Sequence, residues 1–265
     1  MNDTYSATLP GDIVPLQAFN DNYIWLIRQH DRAVVVDPGD SVPVLAWLDA
    51  QGVRLEAILL THHHADHVGG VAELLARFPA LRVIGPADSR IAGIVTEPAT
   101  DGTQPILFDN TLSLQVLAVP GHTETHVAYH GHGVLFCGDT LFSAGCGRLL
   151  GGRADQLHAS LQSLAGLPDE TRIYPAHEYT LSNLRFARAA EPVNAFRDAY
   201  LLACEKRRAK GLPTLPSTLG VERRINPFLR LDAPSLRDTL AQRLGTPPTD
   251  ALACFTALRA WKDVF

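Results

Sequence analysis

The stretch Leu59-Leu-Thr-His-His-His-Ala-Asp-His-Val-Gly-Gly70 constrains this chain more than any other. An apolar run, Ala57-Ile-Leu-Leu60, leads into it, and Val71-Ala-Glu-Leu-Leu-Ala-Arg-Phe78 follows with helical spacing as far as Pro79. The histidines therefore occupy a strand-to-helix turn. In extended backbone alternate side chains share a side, so His62 and His64 face one way and His63 the other. Two imidazoles are then available to one metal ion. Asp66 and His67 fall where the chain turns into helix and can aim at a different point, which suggests a second ion beside the first. A solvated histidine loop is the competing reading; three imidazoles and a carboxylate gathered at a strand end weigh against it.

The rest of the chain supports a folded, soluble setting for such a site. With 265 residues, 46% hydrophobic and 19% charged, it can bury a substantial core in one large domain or two. The start, Met-Asn-Asp-Thr-Tyr-Ser-Ala-Thr-Leu-Pro10, lacks a basic segment followed by an apolar one, and no stretch approaches a membrane-spanning length, so a cytoplasmic protein without a membrane partner is expected. Cys137, Cys146, Cys204 and Cys254 show no Cys-x-x-Cys spacing and read as free, mostly buried thiols. Charge is uneven: residues 1–180 hold 9 Lys+Arg against 20 Asp+Glu, and residues 181–265 hold 14 against 8. All 11 histidines lie in the first part. An acidic, histidine-rich portion suits bound cations, whereas the basic portion suits an anionic ligand or, more simply, solvated helix faces.

Strand patterns alternate with helical ones through the first part. Ile13 to Leu26 and Arg32 to Asp37 read as strands, Val44 to Gln51 as a helix closed by Gly52, and Glu56 to Thr61 as the next strand. Further strands are expected at Leu81 to Ile84, Leu114 to Val119, Val127 to His130, Val134 to Cys137 and Arg172 to Tyr174. This is an α/β core. After about Tyr179 the texture becomes helical, over Leu181 to Ala190, Val193 to Lys210, Leu236 to Leu244 and Ala251 to Lys262, with Gly211 and Gly245 as stops and Leu212 to Gly220 as a loop. The division expected is a catalytic domain over 1–178 and a small helical domain over 179–265.

Three more candidate ligands follow apolar runs: His122 in Val119-Pro-Gly-His-Thr, Asp139 in Leu135-Phe-Cys-Gly-Asp-Thr, and His177 in Ile173-Tyr-Pro-Ala-His-Glu-Tyr. Alone, each is more often a capping or hydrogen-bonding residue. Together with the first cluster they make seven groups, the number that two metals sharing one carboxylate would need. The pattern Thr-His-x-His-x-Asp-His, then Gly-His-Thr, Gly-Asp-Thr and Ala-His, resembles the metallo-β-lactamase superfamily. The resemblance implies a four-layer αβ/βα sandwich, here followed by an all-helical C-terminal domain. It also implies His62, His64 and His122 on one metal, Asp66, His67 and His177 on the other, and Asp139 bridging them. Nitrogen and oxygen ligands without thiolate fit Zn(II) and tolerate Fe or Mn. A water between two such cations would be deprotonated near neutral pH, since one catalytic zinc already lowers its pKa to about 7. Asp37, at the end of the Val-Val-Val strand, matches an acidic position that supports such a site.

The substrate is narrowed by other segments. Asn20-Asp-Asn-Tyr23, Gly138 to Arg148, Ala176-His-Glu-Tyr-Thr180, Glu191-Pro-Val-Asn194, Asn226-Pro-Phe-Leu-Arg230 and Arg259-Ala-Trp-Lys-Asp-Val-Phe265 resemble the glyoxalase II family, almost end to end. The resemblance implies hydrolysis of the thioester S-D-lactoylglutathione by a monomer with no nucleic-acid partner. Asp66 and Asp139 would serve catalysis through the metals, and Arg148, Tyr179, Arg259 and Lys262 would contact glutathione. Leu150 stands where many members carry a tyrosine. The competing enzyme is a persulfide dioxygenase-like member using a single iron on His62, His64 and His122, against which the complete tail motifs argue.

Overall fold

The computed structural model describes Leu9 and residues 11–265. The segment 1–8 and Pro10, on which the expected lack of a targeting signal partly rests, lie outside the described residues. The chain forms two compact units: one is built from the residues up to Ala118 with Thr125–Gly138, the other from Val119–Glu124 with Asp139–Phe265.

The first unit contains a six-stranded sheet of β1 (Asp12–Ala18), β2 (Asn22–Gln29), β3 (Arg32–Val36), β4 (Arg54–Leu59), β5 (Arg82–Pro86) and β6 (Glu97–Ala99), in that spatial order. β1, β2 and β3 meander antiparallel, and β3 to β6 run parallel. Parallel pairing needs long crossovers, which the helices α1 (Ser41–Gln51), α2 (Ala65–Val68) and α3 (Val71–Arg77) supply or help to supply. α1 begins at Ser41 rather than Val44 because the Asp40 carboxylate accepts from the Val42 N–H and caps it early, and Gly52 closes it in the left-handed region at φ 62°. Leu26, Val35, Val44, Ile58, Leu60, Val71, Leu74 and Val83 form the core between sheet and helices. Two short strands, β7 (Ile106–Leu107) and β8 (Leu112–Ser113), pair with each other, and β9 (Gln115–Ala118), β10 (Val127–Gly131) and β11 (Val134–Gly138) form an antiparallel meander. The Tyr129 hydroxyl on β10 donates to the Leu60 and Ile84 carbonyls, tying this meander to the strand ends where the histidines begin.

The second unit opens with the hairpin β12 (Leu141–Phe142) and β13 (Gly145–Cys146), then helix α4 (Ala154–Ala165), strand β14 (Arg172–Pro175), helices α5 (Thr180–Ala190) and α6 (Ala195–Arg208), strand β15 (Ser217–Thr218), and helices α7 (Leu219–Ile225), α8 (Pro234–Leu244) and α9 (Ala251–Asp263). The stretch Leu212 to Gly220 is not wholly a loop: Ser217 and Thr218 pair with Ile173 and Arg172, and the Thr218 hydroxyl caps α7. α4 had a legible signal in Leu157, Leu161 and Leu164, all buried at helical spacing. Buried Glu222 accepts from the Ser143 hydroxyl, the Ala144 N–H and the Ser217 hydroxyl, while the Asn226 amide donates to the Phe142 and Gly145 carbonyls. This network sets the β12–β13 hairpin. Arg230 grips Glu191 with two hydrogen bonds, and Asn194 caps α6, so these tail motifs are structural. All four cysteines are free and buried, and no helix among the described residues is long and apolar enough to cross a membrane.

Candidate metal-binding clusters

In the first unit, the ends of β3 and β4 lie side by side and deliver Asp37 and the histidine segment to one place. Asp37 accepts from the Thr61 N–H at 2.8 Å and hydroxyl at 2.7 Å, and its Oδ2 lies 3.0 Å from His67 Nδ1. A carboxylate against Nδ1 favours the proton there and leaves the Nε2 lone pair for a cation. His67 Nε2 lies 3.5 Å from Asp66 Oδ2, and His62 Nε2 lies 3.0 Å from His64 Nδ1. His62 is buried and its ring stacks on His126 at 4.6 Å. His63 points elsewhere, with Nδ1 3.4 Å from Asp88 Oδ2, and burial lowers its pKa. Gly39 permits this arrangement, since a Cβ there would sit 1.9 Å from the Asp66 carbonyl oxygen.

In the second unit, Asp139 offers its two carboxylate oxygens to two different imidazoles. Oδ2 lies 3.4 Å from His122 Nε2 and Oδ1 lies 3.3 Å from His177 Nε2. His122 Nδ1 is 2.8 Å from the Arg148 carbonyl, which can only accept, so Nδ1 carries the proton and Nε2 presents its lone pair. His177 stacks on Tyr179, and Phe142 meets both rings edge-on. Gly147 passes so near the Asp139 carbonyl that a Cβ would lie 2.0 Å from its oxygen.

The donor sets fit divalent ions. Two metal–nitrogen or metal–oxygen bonds of about 2.0–2.1 Å at a tetrahedral angle hold their donor atoms about 3.3 Å apart. The four donor pairs named above fall at 3.0, 3.3, 3.4 and 3.5 Å. All seven residues belong to groups able to hold a metal ion.

The residues expected to contact glutathione all lie in the second unit, in different settings. Arg259 is only 3% exposed; its Nη1 donates to the Cys146 carbonyl at 2.9 Å and the Gly147 carbonyl at 3.3 Å, and its Nη2 to Asp263 at 3.0 Å. The Arg148 side chain is 70% exposed, with Nε 4.0 Å from the same Asp263 carboxylate. Lys262 is half-buried with Nζ 5.2 Å over the Phe186 ring, and burial lowers its pKa, with the Arg259 charge adding to the effect. Leu150 is half exposed, and its N–H donates to the His122 carbonyl.

The pattern of the metallo-beta-lactamase superfamily matches residues 19–177, and that of the hydroxyacylglutathione hydrolase C-terminus matches residues 178–265. A curated protein of Chromohalobacter salexigens named hydroxyacylglutathione hydrolase is 52% identical over 261 residues, covering 96% of this chain and 99% of its own length. The chain belongs to the hydroxyacylglutathione hydrolase family. Its fold is the α/β sandwich of the superfamily, followed by the helical C-terminal region. Two solved structures carry the same fold: ETHE1 from Myxococcus xanthus, at 26% identity and a TM-score of 0.62, covers 95% of this chain and 99% of its own, and TTHA1623, solved in a di-iron-bound form, matches at 31% and 0.58 over 82% of this chain and all of its own. Membership of this family and the two His/Asp clusters make the chain a binder of divalent metal. Sequence reasoning missed the residues set around the histidine segment: Asn22 on Asp66, His126 on His62, and Asp88 on His63. None of these carries a local spacing signal, because each comes from a distant strand or turn.

Proposed function

We propose that the chain hydrolyses the thioester of S-D-lactoylglutathione to D-lactate and glutathione, as a metal-dependent hydrolase. The observation that carries this is the extent of the relationship: the 52% identity to a hydroxyacylglutathione hydrolase runs through the helical tail as well as through the ligand clusters. In this reading His62, His64 and His122 would hold one ion, Asp66, His67 and His177 the other, and Asp139 would serve both. Bound there, divalent ions, Zn(II) by the donor set with Fe or Mn tolerated, would supply a water made nucleophilic near neutral pH and a Lewis acid for the carbonyl. Asp66 and Asp139 act in catalysis by holding those ions. Residues 179–265 act as the glutathione-binding domain. Arg148 and Lys262 pair with the glutathione carboxylates, Tyr179 donates a hydrogen bond, and Arg259 shapes the Cys146–Gly147 backbone that carries Arg148. The leaving thiol, with an ordinary pKa of about 8.5, departs as thiolate without a dedicated acid.

The test is thiol release from S-D-lactoylglutathione by protein whose bound metal has been counted. Turnover with about two metals per chain is expected. Two metals without thiol release, or oxygen uptake with glutathione persulfide in its place, would overturn the substrate assignment.

A further inference from the structure

The motif Asn20-Asp-Asn-Tyr23 has no part in the reaction as proposed, yet one of its residues reaches the metal cluster of the first unit. Asn22 opens β2, pairs across the hairpin with Ala18 and is 7% exposed. Its Nδ2 lies 3.1 Å from Asp66 Oδ2 and 3.5 Å from the Asp66 carbonyl oxygen. Both neighbours are acceptors, so the amide must present its nitrogen and not its oxygen. The hairpin that delivers this amide holds a strained residue: Phe19 sits in the left-handed region at φ 52°.

Asp66 differs from the histidine it accompanies. The His67 side chain is fully buried, so packing fixes its ring; that of Asp66 is 41% exposed, on a helix of a single turn. A carboxylate in that setting has rotamers to choose from, and ordering it costs entropy when a cation binds.

We infer that Asn22 is the positioning residue for Asp66, holding its carboxylate in the orientation that receives a divalent cation. The amide N–H fixes the carboxylate's rotamer before the metal arrives. The hydrogen bond thus ties the β1–β2 hairpin to the retention of one metal and not the other. This inference rests on the assignment of Asp66 as a ligand.

Zinc-loaded full-length protein would be titrated with a chelator for the wild type, Asn22→Ala, Asp66→Ala and the double variant, with thermal melting of each metal-free form. Asn22→Leu, of similar size without a donor, is made alongside to separate the lost hydrogen bond from a lost side chain. Asn22→Ala and Asn22→Leu are expected to surrender one of two zinc ions at about 10–100-fold lower chelator, the usual effect of losing an outer partner of a ligand. The second ion should follow the wild-type curve, and Asn22→Ala should add nothing to Asp66→Ala. Zinc release by both Asn22 variants along the wild-type curve, or a double variant weaker than Asp66→Ala, overturns the inference alone. If Asp66→Ala itself retains both ions, the ligand assignment falls and the inference falls with it.

Discussion

The imidazole of His177 lies flat on the phenol ring of Tyr179, with centroids 4.6 Å apart and planes 3° from parallel. The stack needs the ring and not the hydroxyl. Tyr179→Phe is therefore expected to keep the metal content of the wild type while raising KM for the glutathione thioester about fivefold, the worth of one hydrogen bond of about 1 kcal/mol. Tyr179→Ala removes the stack and should lower metal retention too. Steady-state kinetics with metal analysis on the same samples separates the two, and an unchanged KM in Tyr179→Phe would remove the hydroxyl from the substrate contacts.

Arg259 and Arg148 approach the same Asp263 carboxylate from opposite conditions of burial. Truncating Arg259 leaves the Cys146 and Gly147 carbonyls without that donor and a carboxylate without its charge partner. Arg259→Ala should cost about 3 kcal/mol or more of stability, read from urea unfolding. Arg148→Ala, on a side chain largely in solvent, should stay within about 0.5 kcal/mol of the wild type and still raise KM several-fold. Equal stability losses in the two variants would contradict this division of labour.

Four of the seven ligand candidates, His62, His64, Asp66 and His67, share one window, and apolar runs precede Thr61, His122, Asp139 and His177. The alternation that puts His62 and His64 on one side and His63 on the other is a property of extended backbone and needed no tertiary information. What surrounds these candidates was not legible. Asn22 is 44 residues from Asp66, and Glu222 is 79 from Ser143, so no window contains both partners. Arg259 shows the same limit from the other side. At the sequence level it reads, through the resemblance, as a glutathione contact, and nothing near it says that the β12–β13 hairpin will cover it. Short elements such as β12, β13 and α7 escaped because tertiary hydrogen bonds from Glu222 and Asn226 make them, not periodicity.

Asp88 is a buried carboxylate that accepts from Arg90 Nε and Nη2 and from the Thr125 hydroxyl. The Arg90 hydrogen bonds, followed by that of Thr125, hold its pKa well below the ordinary carboxyl range. A carboxyl whose folded pKa is depressed adds stability that is complete above its unfolded value, about 3.9, and is lost as the pH falls from there toward the folded value. Asp88→Asn should therefore destabilise metal-free protein by about 2 kcal/mol at pH 7. The gap from the wild type should narrow between pH 5 and pH 3, roughly the window in which the unfolded carboxyl takes up its proton. Urea midpoints across that range decide it, and a gap independent of pH would show that Asp88 acts through packing instead.

Lys262 has its pKa lowered, first by burial and then by the Arg259 charge. Its ammonium is therefore lost at lower pH than that of an ordinary lysine, and with it the proposed pairing to a glutathione carboxylate. KM for the thioester should rise on the alkaline side, at pH values below the ordinary lysine pKa of about 10.4, while kcat holds because the bound carboxylate keeps the amine protonated. Lys262→Arg stays charged throughout and should flatten the rise. Lys262→Ala should show a high KM at every pH and no alkaline limb. The measurement is KM from pH 7 to pH 10, corrected for spontaneous thioester hydrolysis. An alkaline limb that persists unchanged in Lys262→Ala would assign it to another group.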